Sequence, residues 1–308
     1  DLTSGFYISQ PHSRTITVSV KLLSWDAWLR AEAGDLDGTV HSLETALAIT
    51  ESLADEPGAF LQLIRSACLS TAAQRLEQIM NRHHFDDRQL TRLGRLFEGR
   101  ESPGGLRAAS AADMCIGLRY FDAPIQAMGM TLSPAEWFRY SATIALRKTS
   151  GSWARDRDLL LDIYSRCFKA FEKPFPSMLQ DADAIQDYVE TRYAGKSSWI
   201  SQYFVPDMRN AVEGEARRVA TLRTVQTAIA IERFRLSNKG NPPGTLDELT
   251  PRFLPTLLND PFDGEPLRYK TLEKGFVVHS VGVDRVEDQE AVGAEANQAD
   301  DLRFRVLR

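Results

Sequence analysis

The densest concentration of chemically capable side chains lies near the carboxyl end. Asp284, Glu287, Asp288, Glu290, Glu295, Asp300 and Asp301 crowd one segment, relieved only by Arg285. Hard carboxylate oxygens in a flexible loop suit Ca²⁺, which takes roughly six to eight of them, whereas zinc asks for His or Cys. Spacing alone places Asp288 among the candidate ligands. The same segment also reads as a solvated acidic excursion, and the Arg285 cation competes with any metal.

No other cluster makes a stronger case. In His83-His84-Phe85-Asp86-Asp87 the neighbouring imidazoles cannot face one metal from a helix, and Asp86 is placed to cap one, so a surface loop is expected. His12 and His41 stand without nearby carboxylate or thiol partners, and His279 beside Ser280 on a strand is not a triad. Glu44 and Glu51 share a helix face, as solvated surface carboxylates do. Cys68, Cys115 and Cys167 are dispersed and odd in number, which argues for buried, inert thiols. The aromatic residues, Trp25, Trp28, Trp137, Phe138, Trp153, Tyr188, Tyr193, Trp199, Tyr203 and Phe204 among them, are expected in cores. There is no phosphate loop, nucleophile elbow or zincin pattern, and no catalytic residue is assigned.

A chain of 308 residues is expected to form two domains. Its formal charge of −5 provides no electrostatic footprint for nucleic acid and no basic face for anionic lipid. No run reaches the roughly 18 apolar residues of a spanning helix. Because the chain begins at Asp1, a leader or anchor is expected to precede it, with a periplasmic or membrane-anchored location.

The elements that would position these groups are mainly helical. A short β-like start at Thr15–Val18 precedes a helix over about 20–33, which Gly34-Asp35 interrupts before a second over about 37–53. This hairpin, near residues 20–53, resembles one tetratricopeptide helix pair, with Gly34 and Ala46 at the small positions of close approach and Thr39 where that repeat prefers Ala. No second copy follows at its period. Pro57 opens a helix through Ile79; Asp86 with Gln89 and Ser133 with Glu136 are capping-box starts. Further helices are expected over about 107–119, 156–171 and 181–193. Residues 1–205 thus read as an all-helical body.

A long helix is expected over about 206–238, with Leu222, Val225, Ile229 and Leu236 on one stripe and Ile231 and Phe234 opposite. A helix apolar on two sides is covered on two sides, which places its main stripe on a terminal sheet and its other side on the body. Alternation at Leu267, Tyr269 and Thr271, then Phe276 to Val281, then Leu302, Phe304 and Val306, predicts three antiparallel strands. Thr245 with Glu248 caps a one-turn helix, and Asp263-Gly264 is a turn. The fold class expected is mainly α, with a small α+β module at 206–308 that shares its long helix with the body.

Glu232-Arg233-Phe234-Arg235, Gly240-Asn241-Pro242-Pro243-Gly244-Thr245-Leu246-Asp247-Glu248-Leu249, Asp260-Pro261-Phe262-Asp263-Gly264, His279-Ser280-Val281-Gly282-Val283-Asp284 and Ala299-Asp300-Asp301 follow one another in order. Over about 215–308 this series resembles the globular part of the major pseudopilin of type II secretion systems. It is closer still to pseudopilin-G-like carboxyl-terminal modules of bacterial proteins, especially of planctomycete type. The resemblance implies a calcium loop opened by Asp284 and closed by Asp300. Arg285 departs from the glycine usual after that first aspartate, and the glycine-rich turn is reduced to Gly293. Fibre assembly does not transfer, because soluble helices stand where the fibre helix would be.

Two functional readings follow. One is a non-enzymatic, exported or envelope-associated interaction protein, its partner a protein met by the helices, with calcium as its only cofactor. The other is an enzyme or small-ligand receptor with a cleft between body and sheet.

Overall fold

Local punctuation sets most helix boundaries. The computed structural model describes residues 11–101, 104–122, 133–193, 201–205, 207–286 and 302–308. In chain order the described helices are α1 (Pro11–Glu32), α2 (Leu36–Glu51), α3 (Ala59–Met80), α4 (Asp87–Phe97), α5 (Gly104–Asp122), α6 (Pro134–Thr149), α7 (Ser152–Ala170), α8 (Ser177–Tyr193), the single turn α9 (Ser201–Phe204) and α10 (Met208–Ser237). A 3₁₀ turn (Leu246–Leu249) leads to strands β1 (Arg268–Leu272), β2 (Gly275–Ser280) and β3 (Leu302–Val306). Helices dominate and the small sheet is antiparallel, as expected.

Both capping boxes form. Gln89 N donates to Asp86 Oδ1 at 2.7 Å while Asp86 N donates to Gln89 Oε1 at 3.1 Å, and Ser133 and Glu136 exchange the equivalent pair. At the 3₁₀ turn the Glu248 carboxylate accepts from both Gly244 N and Thr245 N. The β-like start at Thr15–Val18 is instead helical. Its β-branched residues are weak strand signals that packing overrides: Ile16 rests on Val20 and Cys68, and Thr17 Oγ1 bonds back to Ser13 O at 3.0 Å.

The contacts group the chain into two compact units. The first holds Asp55–Gln62 and Gly104–Val212, so α5 to α9 belong to it. Its core joins Tyr120, Phe121, Trp153, Leu160, Tyr164 and Phe204. Tyr120 and Phe204 stack with centroids 4.6 Å apart, Trp153 Nε1 donates to Phe121 O, and the Tyr164 hydroxyl donates to Phe204 O. These bonds let large aromatic rings be buried without stranding their polar ends.

The second unit holds His12–Ala54, Leu63–Pro103 and Glu213–Arg308. α1 from His12, α2, α3 from Leu63 and α4 are thus grouped with the sheet. α1 and α2 form the expected hairpin. Thr39 holds it together, since its buried hydroxyl reaches Ala27 O at 3.2 Å as well as Asp35 O at 2.9 Å. Ala46 is fully buried. Gly34 serves conformation rather than close approach: its φ is +80° and a Cβ there would meet nothing within 4 Å.

The sheet order is β1-β2-β3, with Tyr269 opposite Val278 and Val278 opposite Phe304. Tyr269, Phe276, Val278, Phe304 and Val306 thus share the face that enters a core with Leu76, Leu93, Phe97, Leu222, Val225 and Ile231. On the other face His279 lies in register between Arg268 and Arg303. The main stripe of α10 divides differently from expectation. Ile229 turns to α4, where a Cβ on Gly94 would stand 3.7 Å from its Cγ2, and Leu236 is 41% exposed. Gln226 Nε2 donates to Phe97 O at 2.9 Å on that same side.

Candidate functional site

Of the calcium candidates, only Asp284 falls among the described residues; Asp288 and Asp300 lie outside them. Asp284 is exposed, and its Oδ1 accepts from Val286 N at 3.1 Å in a local turn. Among the described residues no group of three or more His, Cys, Asp or Glu side chains converges as a metal site would require.

The remaining polar candidates resolve into structural roles. Glu44 receives the Arg92 guanidinium at 2.8 Å, and Glu51 receives Arg65 at 2.9 Å and Arg100 at 3.4 Å, so both are ion-paired rather than simply solvated. His83 lies 3.5 Å from Glu32. His84 is exposed, with its pKa lowered by burial of the ring and by the Arg308 and Arg235 cations. Cys68 and Cys167 are buried, and burial pushes the Cys167 thiol up to about 12; Cys115 is exposed, unlike the expectation for it. Trp199 lies outside the described residues.

One buried polar cluster was not foreseen. In the first unit Ser201, fully buried, donates its hydroxyl to Asp156 Oδ1. Tyr193 lies beside them, its phenol pushed up to about 12 mainly by burial. Asp113 on α5 is raised to about 6 by burial alone. A serine beside a carboxylate needs an intervening base to become a nucleophile. None of the five histidines of the chain belongs to the first unit. The Ser201–Asp156 bond ties α9 to α7. Its residues are far apart in sequence, which is why no motif announced it.

The most distinctive exposed feature is on α1. Its inner face is Val20, Ser24, Ala27 and Ala31, all at 1% exposure or less. Its outer face carries Val18, Leu22, Trp25 and Leu29, exposed by 47%, 64%, 55% and 65%. The steps between these four are four, three and four residues, the seam spacing of paired helices. Trp25 is held in place by the Arg75 guanidinium, 4.2 Å from its ring centroid. Arg14 and Lys21 flank the seam, exposed and without an ion-pair partner among the described residues. Asp26, by contrast, is committed to Arg30 at 2.7 Å and Ser42 at 2.5 Å. The seam is thus apolar with a positive border.

Other expected core aromatics are also outside: Trp137, Phe138 and Tyr203 are 53%, 72% and 68% exposed. Among the described residues no helix is long and apolar enough to cross a membrane. No family model, curated protein or solved structure matches the chain.

Proposed function

We propose that this chain is a non-enzymatic interaction protein that docks an amphipathic helix of a protein partner along α1. The observation that carries this reading is the exposed seam of Val18, Leu22, Trp25 and Leu29. Monomeric surfaces scatter apolar side chains singly; four at heptad spacing on one outward face form a recognition pattern. Trp25, braced by Arg75, supplies the rigid aromatic anchor typical of energetic centres. Arg14 and Lys21 select a partner helix bordered by Asp or Glu. The seam is only about 16 Å long at helical rise. Roughly three turns of apolar side chains match the span over which a partner helix lies in a groove.

The carboxyl-terminal segment we read as a pseudopilin-like scaffold, on the ordered motifs that carry that resemblance. An exported or envelope-associated setting belongs to the same reading.

The test is site-specific photocrosslinking from position 22, with His41 on α2 as the exposed control position, followed by affinity measurement with the purified partner. The expected result is one protein crosslinked through a helical segment from position 22, bound at least about tenfold more weakly by the Leu22→Asp/Leu29→Asp variant. Equal crosslinking from the control, affinity indifferent to the double substitution, or a crosslink to a second copy of the chain would each overturn it.

A further inference from the structure

In the second unit α4, α10 and the turn at Pro251–Pro255 border a half-open cavity of about 260 Å³. Three guanidiniums line it, those of Arg95, Arg233 and Arg252, against the single carboxylate of Glu98. Arg233 is held by Asp87 at 2.8 Å. Arg95 and Arg252 make no ion pair among the described residues. The cavity therefore carries uncompensated positive charge in a chain whose net charge is negative.

The lining is not only charged. Phe253 stands in the wall, with the Arg252 guanidinium 5.0 Å and that of Arg233 5.7 Å from its ring centroid, and it packs edge-to-face with Phe234 at a centroid separation of 5.7 Å. Ile229 and Leu254, both buried, continue the apolar surface. Guanidinium forks match the paired oxygens of carboxylate and phosphate, and inside a concave site they are less screened than on an open face. Arginines gathered around an apolar wall fit a ligand with an oxyanion at one end and a hydrocarbon body at the other. The volume is just below the roughly 300–1,000 Å³ of ordinary ligand pockets, so the occupant is small.

The geometry points to a binding site for a small organic oxyanion, a phosphate ester or carboxylate, with its charged end between Arg95 and Arg252 and its body against Phe253, Ile229 and Leu254. The site stands apart from the α1 seam, and neither reading depends on the other. Glu98, exposed and without an ion-pair partner among the described residues, opposes the ligand's charge and sets an upper limit on affinity. That opposition makes the site testable in both directions.

The experiment is titration of the full chain with phenyl phosphate, benzoate and inorganic phosphate, followed through the arginine Nε resonances. One of the two aryl oxyanions is expected to saturate with a dissociation constant below about 1 mM, and inorganic phosphate to bind at least about tenfold more weakly. The stronger aryl ligand distinguishes phosphate ester from carboxylate. Arg95→Gln and Arg252→Gln should each weaken it about tenfold, and Glu98→Gln should tighten it several-fold. All three positions are exposed, so melting temperatures near that of the parent verify that the variants are folded. No saturation by either aryl ligand, equal affinity for inorganic phosphate, or affinities unmoved by both arginine changes and by Glu98→Gln would overturn the assignment.

Discussion

Asn81, the first residue past the end of α3, closes the free edge of β3 at Arg305. Its Nδ2 donates to Arg305 O at 2.9 Å, while its Oδ1 accepts from Leu307 N. One turn earlier, Glu77 Oε1 accepts from Arg305 N at 2.9 Å. One side chain of α3 and one just past its end thus supply what a fourth strand would, and an edge open to another chain is covered. Asn81→Leu strands both backbone groups and should cost about 1–2 kcal/mol in denaturant unfolding. It should also speed hydrogen exchange at Leu307 N. Asn81→Asp keeps the acceptor and loses only the donor, so it should leave exchange at Leu307 closer to the parent. Equal stability of the parent and Asn81→Leu would show that water replaces the amide at no cost.

The relation between Asn81 and Arg305 also shows where sequence reading stops. Capping boxes at Asp86–Gln89 and Ser133–Glu136 are local, and the residues that make them stand three apart. Strand alternation at Leu302, Phe304 and Val306 is local too. Pairings such as Asn81 with Arg305, or Gln226 with Phe97, join distant segments and leave no periodic trace, so the grouping of α1 to α4 with the sheet was not legible. The α1 seam was present in the sequence, but a helix apolar on two faces does not reveal which face stays in water. Arg95, Arg233 and Arg252 are likewise unremarkable until folding gathers them. The calcium expectation, with Asp288 and Asp300 outside the described residues, is checked by melting in calcium against chelator. A rise lost in Asp284→Ala supports it, and no rise at millimolar calcium rejects it.

Burial of Asp113 makes the first unit sensitive to pH. Its carboxyl is raised to about 6 from an ordinary value of 3.8, so the folded state holds a proton that the unfolded state releases. Stability from this group is complete below about pH 4 and is lost as pH rises through about 6. With the group still partly exposed, the loss is about 1–2 kcal/mol. Asp113→Asn should therefore be more stable than the parent by that amount at about pH 7.5 and nearly equal to it at about pH 4. Melting of both proteins across that range checks it, and parallel curves would refute the assignment.

Gly275 opens β2 under a tight constraint. Its φ is +106°, and a Cβ there would stand 1.8 Å from Val306 O. Gly275→Ala must displace β3 as well as strain the turn, and should cost at least about 3 kcal/mol. Gly34→Ala provides the control, since φ is +80° with open space around it, and the cost there should stay near about 1 kcal/mol. Denaturation midpoints of the two variants should differ accordingly. Similar losses would mean that β3 gives way freely at Val306.

Asp260 fixes the loop after the 3₁₀ turn to the end of β2. The side chain is 1% exposed. Its Oδ1 accepts from Phe262 N at 3.0 Å and from Ser280 Oγ at 2.9 Å, and its Oδ2 accepts from Val281 N at 2.8 Å. Three buried donors converge on one carboxylate, with the Arg268 guanidinium 4.0 Å away. Asp260→Ala leaves all three unsatisfied and should cost at least about 3 kcal/mol. Asp260→Asn keeps one acceptor oxygen but turns an N–H toward Val281 N, so it should lose roughly half as much. Ser280→Ala alone should cost about 1 kcal/mol, and added to Asp260→Ala it should cost much less, because the hydroxyl has already lost its acceptor. A double-mutant cycle in urea measures this coupling. Strict additivity would show that the Ser280 hydroxyl draws its stability from the Gly282 N–H, from which it accepts at 3.2 Å, and not from Asp260.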